Sequence, residues 1–97
     1  MLYGWRLTAA ERLTVIGAEL PQQQRLTRTR LLRDIVGGLY LMFPEHPDVR
    51  YEWLRRAHHD LNGNSPLQTM LEREDGIRDV AAVIREHLRQ SPQANRA

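Results

Sequence analysis

Apolar side chains recur along this chain with the three-to-four-residue spacing of helices, and nowhere does a two-residue alternation persist beyond a few positions. The pattern predicts an all-α protein, a small bundle of about five helices in a single domain, with no strand. Thr8-Ala9-Ala10-Glu11 reads as a capping box, so a first helix is predicted from Ala9 to Leu20, with Ala10, Leu13, Ile16 and Leu20 as its stripe and Pro21 as its stop. Tyr3 and Trp5 precede any helix signal and are expected to dock on the body. Gln22 to Arg25 reads as a polar linker. The second helix begins near Thr27 or Thr29 and carries Leu32, Ile35, Val36, Leu39, Tyr40 and Phe43 on one side, widened by Leu31 and Met42.

So wide a stripe implies a central helix that touches several neighbours or keeps one face for a second subunit. Gly37 and Gly38 interrupt it at a cost of about 1 kcal/mol each relative to Ala, so something must gain from the missing side chains. Close helix–helix approach is the natural gain, within the fold or across a homodimer, and Gly37, Gly38 and Tyr40 are the candidate contact residues. Pro44 stops this helix and Pro47 opens the next, predicted to run to His58 with Arg50, Trp53, Leu54 and Ala57 on one face while Arg55 and Arg56 point elsewhere.

Leu61 to Leu71 is the most sharply specified stretch. Asn62-Gly63-Asn64 is a turn by composition. Ser65 then suits an N-cap, Pro66 the first helical position and Gln68 the third position of a capping box, so Gly63, Ser65 and Pro66 form a structural turn. Leu67, Met70 and Leu71 share a face of the short helix that follows. Asp75 can cap a last helix whose stripe is Ile77, Val80, Ala81, Ile84 and Leu88. Ser91-Pro92 ends it, and the segment 91–97 reads as a flexible tail.

Composition adds limits. The 97 residues suffice for one modest core. There is no cysteine, which excludes disulfides and thiolate metal sites, and no apolar run long enough for a membrane span, so a cytoplasmic protein is expected. All fourteen basic residues are arginine, although the net charge is only +2. Guanidinium groups bind carboxylates bidentately and desolvate readily, which suits burial against an acidic partner. No catalytic or metal constellation is complete: His58-His59-Asp60 and Glu45-His46 lack helical ligand spacing, Glu86-His87 lacks a second histidine, and Ser65 is already accounted for as a cap. The expectation is a non-enzyme without cofactor or metal.

The order Phe43, Tyr51-Glu52-Trp53-Leu54, Leu61-Asn62-Gly63-Asn64-Ser65-Pro66-Leu67, Gly76-Ile77 and Val80 resembles the toxin-binding domain of Xre/MbcA/ParS-type antitoxins. Those domains read W-L, a short spacer, L-x-G-x-S-P-L, a glycine and a helix. The resemblance divides the chain into an N-terminal helical region (1–38, for dimerisation or as a degenerate helix-turn-helix), a toxin-binding domain (39–90) and the tail. It implies a bacterial antitoxin that neutralises a cognate RES-domain toxin, an NAD-consuming enzyme type, with the end of the antitoxin lying over the mouth of the toxin's NAD pocket. Arg85, Arg89 and Arg96 fall in that end, and Trp53 and Arg56 on helix three are the further candidate partner contacts. The alternative is a small DNA-binding transcriptional regulator that meets phosphates with Arg25, Arg28, Arg30 and Arg33. The segment before Leu39 is short for that, offering two helices where a helix-turn-helix domain needs three or more.

Overall fold

A computed structural model describes residues 5–73 and 75–90. Five α-helices, α1 (Ala9–Ile16), α2 (Gln22–Met42), α3 (Pro47–Arg55), α4 (Pro66–Glu72) and α5 (Gly76–Gln90), share one core, with a 3-10 turn at His59–Leu61 and no strand among the described residues. The all-α fold is as the hydrophobic spacing predicts. α2 and α5 form the main packing pair; α4 rests on α5, α3 on α4, and α1 on both α2 and α4.

The first helix keeps its predicted start and loses its predicted end. Thr8 Oγ1 accepts the Glu11 N–H at 3.1 Å while Glu11 Oε1 accepts the Thr8 N–H at 2.9 Å, which completes the capping box. The helix stops at Ile16 because Gly17 turns left-handed (φ +72°), and the Gly17 and Ala18 N–H groups close back on Leu13 and Thr14. The expected stripe is therefore wrong. Leu13 and Ile16 are 56% and 37% exposed, and Val15 is the side chain the core takes.

Pro21 starts α2 instead of ending α1, and the presumed linker Gln22 to Arg25 is helical. The predicted start near Thr27 or Thr29 is too late: their hydroxyls donate to the Gln23 and Arg25 carbonyls one turn back, a bond available only inside a helix. Leu32, Ile35 and Leu39 are buried as the stripe requires. Gly38 accounts for the close approach of α5, since a Cβ there would lie 2.3 Å from Ile84 Cγ2.

α3 ends at Arg55, earlier than His58, because Arg56 swings to extended backbone. The turn that follows closes on itself, His58 N–H donating to Asn64 at 3.0 Å and Gly63 N–H to His58 at 2.9 Å, with Asn62 and Gly63 both left-handed at φ 57° and 81°. Ser65 Oγ accepts the Gln68 N–H at 3.0 Å, and Pro66 takes the first helical position. The other half of the predicted capping box is absent, because the Gln68 amide donates to Glu72 instead, at 3.1 Å. On α5 the stripe is as read: Ile77, Val80, Ala81 and Ile84 are buried and Leu88 is half-buried.

Trp5 docks in the core as expected; Tyr3 lies outside the described residues. Arg55 Nη2 donates to the Trp5 and Arg6 carbonyls, each at 3.2 Å, and the Arg6 and Arg55 guanidinium groups both lie over the Tyr51 ring, at 4.5 and 4.7 Å from its centre. A two-residue segment is thereby fastened to α3.

Candidate partner-binding surface

Exposed arginines and the few exposed large apolar side chains mark where this fold can meet another molecule, so the candidate residues are placed against those two features. Arg28 is the clearest correction. It is 6% exposed, its Nε donates to the Val15 carbonyl and its Nη2 to the Met70 carbonyl at 3.1 Å. Those carbonyls belong to the last turns of α1 and α4, where helix dipoles concentrate negative charge, so the guanidinium is spent inside the molecule and cannot meet a phosphate. The sequence contained the signal, because Arg28 continues the Leu32, Ile35, Leu39 spacing one turn back. Arg25, Arg30 and Arg33 are exposed on α2.

Trp53 is also an inside residue. It is 8% exposed, its ring lies 4.7 Å from that of His58, and His58 Nε2 is 3.2 Å from its carbonyl oxygen. Of the α3 pair expected at a partner surface only Arg56 faces solvent, 3.7 Å from Glu52 one turn back. On α5, Arg89 is engaged with Glu86, which also accepts from Gln90 at 2.9 Å. Surface pairs of this kind contribute little and exchange readily for a partner's carboxylate. Arg85 is exposed and has no ion pair among the described residues. Arg96 and the predicted tail lie outside them.

Tyr40 is 55% exposed, with the Arg50 guanidinium 4.1 Å from its ring centre. The two central glycines part company. Gly38 faces Ile84, whereas a Cβ at Gly37 would meet nothing within 4 Å. Gly37 opens instead onto a groove of about 530 Å³ between α2 and α5, walled by Arg33, Asp34 and Leu41 on one side and Arg85 and Leu88 on the other. Leu41, which the sequence reading passed over, is 69% exposed. Its position two residues beyond Leu39 is the only sequence signal that it leaves the core. Among the described residues no group of three His, Asp or Glu side chains is placed to hold a metal ion, and no helix is long and apolar enough to cross a membrane.

Comparison with known families supplies the context for this surface. The family model of the antitoxin Xre/MbcA/ParS C-terminal toxin-binding domain matches residues 31–86, more than half of the chain. The chain belongs to that antitoxin family. The match runs from the middle of α2 to the last turns of α5, so it contains the α2–α5 pair, the Asn62-Gly63 turn and nearly all of the groove. The family is one of antitoxins that bind a toxin, so the role the match supports is regulation by binding. No curated protein and no solved structure matches the chain.

Proposed function

We propose that this domain neutralises a cognate RES-domain toxin, an NAD-consuming enzyme, in the bacterial cytoplasm. It acts without catalysis or cofactor, as a homodimer within the toxin–antitoxin complex, by laying α5 and the 91–97 segment over the toxin's active site. The observation that carries the reading is the family match across α2 to α5. Arg85, exposed on α5 and without an ion pair among the described residues, with Arg89 one turn on in an exchangeable surface pair, supports the orientation. Arg85→Glu with Arg89→Glu is expected to weaken toxin binding by about 2–5 kcal/mol in calorimetry while the isolated domain melts near its original temperature. Removing residues 91–97 is expected to restore part of the toxin's NAD consumption while the complex still co-elutes. Full neutralisation by both variants would move the inhibitory surface to α3 around Arg56.

A DNA-binding regulator is the second reading, supported by the exposure of Arg25, Arg30 and Arg33 along one helix. A gel shift against upstream DNA at two salt concentrations tests it. A steep salt slope signals phosphate contacts, and no shift leaves toxin binding alone.

A further inference from the structure

The α2–α5 groove holds two features that the fold does not use. Gly38 is required by Ile84, but Gly37 clears space that no described residue fills, and it sits in mid-helix, where glycine is disfavoured. One turn on, Leu41 is the most exposed large apolar side chain among the described residues. Both border the same depression. Each wall also carries an arginine, Arg33 from α2 and Arg85 from α5, and neither has a hydrogen-bond or ion-pair partner among the described residues. On α3 and at its C-terminal end, by contrast, Arg50, Arg55 and Arg56 are all engaged.

We infer that this groove is the toxin's principal docking site, and that it takes an acidic amphipathic segment of the toxin, with a bulky apolar side chain over Gly37 and carboxylates on either side. The inference rests on the toxin-binding reading and names its surface. The shape follows from helix-in-groove recognition, in which apolar anchors enter a hollow between two helices. The charge follows from the walls: two guanidinium groups with no partner among the described residues, against the single carboxylate of Asp34, require acid from the occupant. A second copy of this chain fits worse, because a face-to-face pair would oppose four arginines with two aspartates.

The test is calorimetric titration of the full chain with a catalytically inactivated form of the RES-domain toxin proposed as its partner. Arg33→Glu with Arg85→Glu is expected to weaken binding at least about 30-fold, and Gly37→Leu or Leu41→Glu about 10-fold or more. Arg12→Glu, exposed on α1 outside the matched region, is expected to stay within about twofold of the unmodified chain. Gly37 and Leu41 lie in open space and at the surface, so melting by circular dichroism is expected to show folded variants. If the unmodified chain does not bind the toxin, the toxin reading falls and the groove assignment with it. If it binds and the groove variants bind equally well, the groove assignment alone falls. If the variants leave toxin affinity unchanged but alter the mass of the isolated chain in light scattering, the groove holds a second copy and the inference is overturned.

Discussion

Arg28 and Arg30 differ by two positions on one helix, and their chemistry is opposite. Removing the Arg28 guanidinium strands the Val15 and Met70 carbonyls in the interior, where an unmet acceptor costs roughly 1–3 kcal/mol. Arg28→Leu is therefore expected to lose about 3 kcal/mol in urea unfolding, Arg28→Lys somewhat less, and Arg30→Leu less than about 0.5 kcal/mol. The neighbouring glycines make a second contrast. Gly37→Ala is expected to stabilise by up to about 1 kcal/mol, because the methyl enters open space and the helix gains propensity. Gly38→Ala must displace Ile84 and is expected to lose about 1–3 kcal/mol. Equal losses at both positions in thermal unfolding would refute the packing assignment. Composition identified the pair as costly, but it could not say which glycine faces a neighbour, since that depends on the rotation of α2 against α5.

At the scale of elements, the sequence was most legible where local chemistry acts alone. Thr8 with Glu11, Ser65 with Pro66 and the Asn62-Gly63 turn are decided within a few residues, and each lies where its side chains require. α5 was equally readable because its five apolar positions fall on one helical stripe, four of them buried and Leu88 half-buried. Reading failed where two local signals competed. Gly17 and Pro21 both end helices, and the first to be reached decided the boundary, which released residues 22–26 to α2. Thr27 and Thr29 suited a cap or a back-bond equally, and the burial of Leu32 and Ile35 favoured the longer helix. The same extension brought Arg28 inside. As for the surface, Arg85 was legible from its position beside the α5 stripe, whereas Trp53 was not, because an aromatic suits a core and a contact equally well.

Across the whole molecule, the two faces of α2 divide the labour. One side holds the core with Leu32, Ile35 and Leu39, and the other presents Arg33, Gly37 and Leu41 beside Arg85. Gly37→Leu and Leu41→Glu on the one hand and removal of residues 91–97 on the other therefore test separate steps, since the former probe grip and the latter the covering of the toxin's active site. Loss of grip with intact melting behaviour is the expected result for the first. For the second, the telling measurement is residual NAD consumption in a complex that still forms.

The contact of Gly38 with Ile84 joins positions near opposite ends of the domain, and the groove exists only once it has formed. On the ribosome, α2 emerges before its main packing partner and lacks that cover until α5 has been made. The order of synthesis thus delays the proposed partner surface: a chain stopped short of α5 has no groove to offer, and the capacity to dock a partner there arrives only with that helix.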